Sequence, residues 1–111
     1  MSETGFSKEI VNVNERKFIV EILHFDNGNF VSVYEGSKKI GGMIASIGTG
    51  TVPIITSIIP AKSESLFLKL ITEQLSSMIT GINIISAFIP KELENETAKT
   101  LIAKIKEIVK K

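Results

Sequence analysis

VPIITSIIPAKSESLFLKLITEQLSSMITGINIISAFI, residues 52–89, reads as an apolar run, a polar turn, an amphipathic run, a second turn and another apolar run. Val52 to Ile59 is rich in β-branched residues and stops at Pro60, the pattern of a strand. From Leu66 to Ile79 the apolar residues Phe67, Leu70, Ile71, Leu75, Met78 and Ile79 recur at three- and four-residue spacing, which predicts one face of a helix. Ser63 is placed to cap that helix, and Glu64 falls in its first turn, where the dipole favours an anion. Thr80-Gly81 ends it, since glycine takes the left-handed C′ position without a Cβ clash. Ile82 to Ile89 is then a second buried-type strand, stopped by Pro90. A strand–helix–strand unit whose strands are almost wholly apolar is a core rather than a catalytic loop.

Working outward, residues 1–6 read as a flexible tail leading into a strand from Phe6 to Val13. Asn14-Glu15-Arg16 is turn chemistry, and Phe18 to Phe25 follows as a strand with Phe18, Val20 and Ile22 on one face. Asp26-Asn27-Gly28-Asn29 separates it from a strand at Phe30 to Glu35, and Asn-Gly predicts a type I′ hairpin turn. Gly36-Ser37-Lys38-Lys39 turns again into a strand over Ile40 to Ile47, with a bulge expected at Gly41-Gly42. Beyond Pro90, Ala98, Leu101, Ile102, Ile105, Ile108 and Val109 stripe a helix over Asn95 to Lys110, with Glu107 and Lys111 spaced to pair.

The order is β-β-β-β-β-α-β-α in a single domain, 1–111, as expected for 111 residues. Hairpin-length loops make the sheet mainly antiparallel. The fold class is therefore α+β, a two-layer sandwich of a six-stranded sheet with both helices on one face. Each helix stripe holds about six large apolar side chains at ~1.5–3 kcal/mol apiece, on the order of 10 kcal/mol per helix. That outweighs any surface ion pair.

Two helices leave the second face bare, and a wet face should alternate with polar residues. Here Val52, Ile54 and Ile58 oppose Ile55 and Ile59; Ile82, Ile84 and Phe88 oppose Ile85, Ala87 and Ile89; Met43 and Ile47 oppose Ile44. Both faces are apolar, which marks a partner. We expect an obligate dimer or a stable complex, against the competing reading that loops and the first strand fold over that face. The partner face is drawn from Ile44, Ile54, Ile55, Ile58, Ile84 and Ile85, the side being left open.

Chemistry has little to draw on. Among 13 cations there is one arginine, the net charge is +1, and no aromatic platform interleaves with basic residues. Neither nucleic acid nor an anionic membrane is an expected partner. There is no Cys, hence no disulfide or thiolate site, in keeping with a cytoplasmic location. The opening MSETGFSKEI has no signal-peptide pattern, and no apolar run is long enough to span a membrane. No metal, cofactor or catalytic residue is assigned. His24 and Asp26, the sole His and Asp, are spaced to share a face, but a lone His at a strand end is usually structural. Glu92, Glu94 and Glu96 read as the acidic start of a helix. Gly48-Thr49-Gly50-Thr51 lacks the Lys and helix of a phosphate loop and reads as a hairpin turn, whether or not a ligand sits nearby.

HFDNGNFVSVYEGSKKIGGMIASI, the VPIITSII strand with Thr56-Ser57 at its centre, the SESLFLKLITEQLSSMITG helix, INIISAFIP and the terminal helix together resemble the proteasome assembly chaperone family, of the chaperone 3 and chaperone 4 type in an archaeal-like form. The resemblance runs from Phe18 to Val109 and rests on apolar core patterns. It implies a homodimer, or a heterodimer with a sister subunit, that binds 20S proteasome alpha subunits and assists alpha-ring assembly without catalysis. Factors of another family dock through a hydrophobic–Tyr–X tail; this chain ends Val109-Lys110-Lys111, so that mode is not expected. The alternative is a dimeric roadblock- or longin-like scaffold regulating a small GTPase, although those folds carry an earlier helix. A small enzyme built on His24 and Asp26 is the third reading.

Overall fold

The computed structural model describes residues 5–48, 52–61, 65–78 and 81–110. The elements follow in the order β1 (Phe6–Val13), β2 (Arg16–Phe25), β3 (Gly28–Glu35), β4 (Gly42–Gly48), β5 (Ile54–Ile59), α1 (Ser65–Met78), β6 (Gly81–Phe88) and α2 (Asn95–Lys110). One six-stranded sheet runs β1-β2-β3-β6-β4-β5. Every pairing is antiparallel except β3 with β6. The fold class is as the periodicities require, and β6 enters the middle of the sheet.

That entry has a steric condition. A Cβ on Gly28 would lie 1.8 Å from the Ile82 carbonyl oxygen, and one on Gly81 would lie 2.5 Å from that of Asn27. The Ile82 N–H donates to the Asn27 carbonyl at 2.9 Å. Gly28 is thus needed for close approach and not for a left-handed turn. The Asp26-Asn27 hairpin has no positive φ, contrary to the type I′ expectation; among the described residues the non-glycine residues with positive φ are Asn14 (φ 50°) and Glu15 (φ 65°), in the two-residue β1–β2 turn. Gly81 takes a φ of 118°, as its position just beyond the helix suggested. The irregular register of β4 falls between Met43 and Ile44, with Ile58 the extra residue opposite, not at Gly41-Gly42. Those two glycines instead meet Ala87 and Ala61 closely.

The core lies between the sheet and both helices. Val11, Val13, Phe18, Val20, Ile22, Val31, Val33, Ile85 and Ala87 meet Phe67, Leu68, Ile71 and Leu75 of α1 and Leu101, Ile105, Ile108 and Val109 of α2. On α1 the buried stripe takes Leu68 and leaves Leu70 exposed, because Thr72 and Ser76 also turn inward and rotate the face by part of a turn. The α2 stripe is as read from the sequence, with Thr97 added. The capping of α1 by Ser63 and Glu64, the Gly48–Thr51 turn beyond Gly48 and the Glu107–Lys111 pair lie outside the described residues.

One side chain ties the sheet to the segment before α2. Arg16 donates from Nε and Nη2 to the Glu35 carboxylate at 2.9 and 2.6 Å, and from Nη1 and Nη2 to the Glu92 and Lys91 carbonyls at 3.0 and 3.2 Å. Its guanidinium also lies 5.2 Å from the centre of the Phe18 ring. Beside it, Asn14 Nδ2 donates to the buried Thr97 hydroxyl at 2.9 Å.

Candidate functional site

Because neighbouring strands are in register, side chains form rows across the face that the helices leave open. At one end, Phe25, Gly28, Ile82, Ile47 and Ile54 stand in a row. The next row is Phe6, Leu23, Phe30, Ile84, Ala45 and Thr56. Both are apolar and bare: Phe25 is 59%, Phe6 57%, Ile54 60% and Leu23 44% exposed. Six strands at ~4.8 Å spacing and ~3.3 Å per residue make a face on the order of 25 Å on a side. The two apolar rows take up less than half of it, a patch on the order of 300 Å² against the ~800 Å² per partner of a standard interface.

The third row changes character. Lys8, Glu21, Ser32 and Ser86 face one another across β1, β2, β3 and β6. The β3–β4 connection has to pass over β6 to reach β4, and it covers this part of the face. Lys38 Nζ lies 3.2 Å from Glu21 Oε1, the Gly41 N–H donates to Ser86 Oγ at 3.2 Å, and Lys39 Nζ sits 5.2 Å from the centre of the Phe88 ring. Beneath it the Tyr34 hydroxyl donates to Glu21 Oε2 at 2.5 Å. That bond is the chief reason the Glu21 carboxyl is held below the usual carboxylate range, and it pushes Tyr34 up to about 12. The reading in which loops fold over the open face therefore holds at one corner, while the apolar end stays bare.

The six isoleucines singled out from the sequence divide between the faces. Ile54 and Ile84 lie on the open face, Ile54 exposed and Ile84 half-buried, while Ile58 is exposed at the register irregularity of β5. Ile85 is fully buried under the helices, and Ile44 is packed against the same core. Ile55 faces the helix side at the sheet edge. The sequence reading missed Phe6, Leu23, Phe25 and Phe30, which supply the largest side chains of the apolar end; the hairpin pairing of β1, β2 and β3 would have placed Phe6, Leu23 and Phe30 in one row with Phe25 beside it on the same face.

On the helix side the matching end is polar. His24, Asn29, Asn83 and Ser46 form a row across four strands. His24 Nδ1 lies 2.9 Å from Asn29 Oδ1, its Nε2 lies 3.2 Å from Ser7 Oγ, and Asn29 Nδ2 donates to Asn83 Oδ1 at 3.4 Å. Ser76 of α1 donates to Ser46 at 2.5 Å, while Thr72 Oγ1 and Asn83 Nδ2 have no hydrogen-bond partner among the described residues. Both ring nitrogens of His24 are so placed, and the exposed Asp26 two residues on is not among its partners. The order hydroxyl, imidazole, amide imitates a nucleophilic triad, but neutral Asn29 brings no charge to hold an imidazolium beside a serine. We read it as a structural network.

Among the described residues no group of three or more His, Cys, Asp or Glu could hold a metal ion, and no helix is long and apolar enough to cross a membrane. Glu96 lies in the first turn of α2, and Ala98 N–H donates to the Glu94 carbonyl at 2.9 Å.

No protein-family model matches the sequence, and no curated protein matches it significantly. Among solved structures, the chain is similar to one described as the crystal structure of a novel chaperone complex for yeast 20S proteasome assembly. The TM-score is 0.63 at 10% identity, covering 95% of this chain and 88% of that one. At that identity the likeness is one of fold.

Proposed function

We propose that this chain is a non-enzymatic, cytoplasmic, chaperone-like protein that pairs with a second copy or a sister subunit and binds 20S proteasome alpha subunits during alpha-ring assembly. The observation that carries the reading is the bare apolar end of the open face, formed by Phe6, Leu23, Phe25, Phe30, Ile82 and Ile54. A face of that kind is a liability in water and a ready interface for a partner. The likeness of fold to a yeast chaperone complex supports the identity of the client. A roadblock or longin scaffold is less favoured, because five strands precede the first helix.

Light scattering and capture by recombinant 20S alpha subunits test the two parts. The unmodified protein is expected to be paired at micromolar concentration and to be captured. Leu23→Lys is expected to be a folded monomer by circular dichroism and scattering, with capture reduced at least ~10-fold. A monomeric unmodified protein sinks the pairing; a paired protein that no alpha subunit captures sinks the client while leaving the pairing.

A further inference from the structure

The two edges of the sheet are treated differently. β1 carries Lys8, Glu9 and Asn12, and α2 packs beside it, with Lys104 and Glu107 bordering the groove between them. Charges of this kind keep an edge from adding strands. β5 has none: Ile54-Ile55-Thr56-Ser57-Ile58-Ile59 contains no charge and no proline, and all six residues are exposed. Pro53 and Pro60 bound it from outside. Among the described residues it pairs with β4 alone, so its outer N–H and C=O groups face solvent. The bulge at Ile58 falls near its end and leaves Ile54–Ser57 in regular register.

Beside this edge runs a groove of about 420 Å³ between β5 and α1, lined by Ile44, Ile55, Ser57, Ile59, Ala61 and Lys69. Its wall is apolar except for a serine and one cation. Lys69 is exposed and has no ion pair among the described residues. Lys69 lines the groove from the α1 side, together with Ile55 and Ser57 of β5. An acidic side chain on a segment lying along this groove is the group whose charge complements it.

We propose that β5 and this groove take up an extended segment of a partner protein as a seventh strand, apolar on its helix-facing side apart from one acidic side chain that pairs with Lys69. Main-chain hydrogen bonds to β5 supply affinity, and the groove reads alternate side chains. A second copy of this chain is disfavoured by charge. Edge-to-edge pairing sets two Lys69 side chains along one cleft, and neither groove offers an acid to offset them. The proposal does not rest on the proteasome reading or on the open face.

The probe is the blocked peptide Thr-Val-Thr-Glu-Thr-Val-Thr, titrated into the full chain and followed by backbone amide shifts. Saturable shifts are expected at residues 54–59 and along 66–70, with a Gln peptide about tenfold weaker and an N-methylated peptide silent. Lys69→Glu, an exposed helix position, is expected to fold normally and to reverse the preference, so that a Lys peptide outbinds the Glu peptide. Absence of saturable shifts at millimolar peptide overturns the proposal. Equal binding of the N-methylated form, or an unchanged preference in Lys69→Glu, overturns it too. Shifts at 54–59 on concentrating the protein alone, without accompanying shifts at Leu23 and Phe25 of the open face, would give the edge to a second copy and overturn it likewise.

Discussion

Ile22 and Leu23 are adjacent in β2 and share its backbone, yet one is fully buried under the helices and the other stands bare on the opposite side. A weaker form of the contrast repeats across the sheet, with buried Val31 against half-buried Phe30 and buried Ile85 against half-buried Ile84. The helix side is apolar where the helices lie and polar at the end that holds His24, Asn29 and Asn83. The open side is the reverse, apolar at that end and polar where the β3–β4 connection crosses. Each polar zone has its own cover or network, and the one zone without a cover is apolar. Burial has been solved on one face and deferred on the other.

The largest effect is expected where a substitution damages both faces together. β6 supplies Ile85 and Ala87 to the helix side and Ile82 and Ile84 to the open side, and it reaches its place only because Gly28 has no Cβ. Gly28→Ala forces that Cβ against the Ile82 carbonyl oxygen. Relief requires separating β3 from β6, so the loss should be on the order of 4 kcal/mol or more. Chemical denaturation measures it, and a loss below ~1 kcal/mol would mean that β6 can shift without harm.

The face contrast itself is broken or upheld by two neighbouring truncations. Ile22→Ala removes a fully buried side chain and should cost ~2–5 kcal/mol. Leu23→Ala, measured at concentrations low enough to hold the chain single, should cost under about 1 kcal/mol. The expectation for Leu23 reverses on pairing, because a partner that covers the open end makes its truncation costly in affinity. Equal costs in the single chain would show that Leu23 is already covered within one copy.

Much of this arrangement is legible in the residues, for identifiable reasons. Long, regular periods specified α2 to its ends, and period-two alternation put Phe18, Val20 and Ile22 on one side of β2. The doubled apolar pattern of β4, β5 and β6 signalled two greasy faces, yet it could not say which was covered, because Ile84 and Ile85 are chemically alike. What hid that answer was the crossover: strand order is a long-range property, and only the insertion of β6 beside β3 sends the β3–β4 connection over the open face. Asn-Gly misled for a related reason, since Gly28 answers to a distant strand and not to its own turn. The α1 stripe went astray by one position because Thr72 and Ser76, polar by composition, are buried against Ser46 and its surroundings.

A smaller effect distinguishes the two charged anchors. Arg16 holds Glu35 through two parallel hydrogen bonds and also holds two carbonyls, a geometry that a lysine ammonium cannot reproduce. Arg16→Lys should cost about 1–2 kcal/mol by thermal or chemical unfolding. A neutral result would mean that the segment before α2 is held by Leu93 and the helix packing alone.

The smallest expected change sharpens the polar part of the open face through its pH dependence. Glu21 is held below the usual carboxylate range first by the Tyr34 hydroxyl and then by Lys38. A depressed carboxylate contributes stability that is fully present above its unfolded pKa of ~4.3 and is lost as pH falls through its folded value. Glu35, held low by Arg16, behaves in the same sense, so the wild type loses both contributions in acid. Glu21→Gln should therefore flatten the acid limb of the stability curve and leave the part that belongs to Glu35. Tyr34 gives the opposite sign at the other end. With its pKa pushed up to about 12, its contribution is full below ~10 and is lost as pH rises toward the folded value. In Glu21→Gln the phenolate should form at a lower pH by ultraviolet titration, since the anion that chiefly raises it is gone. If the phenol titrates where it did before, burial under the β3–β4 connection governs Tyr34, and the Glu21 pair is an ornament on a face that the connection already seals.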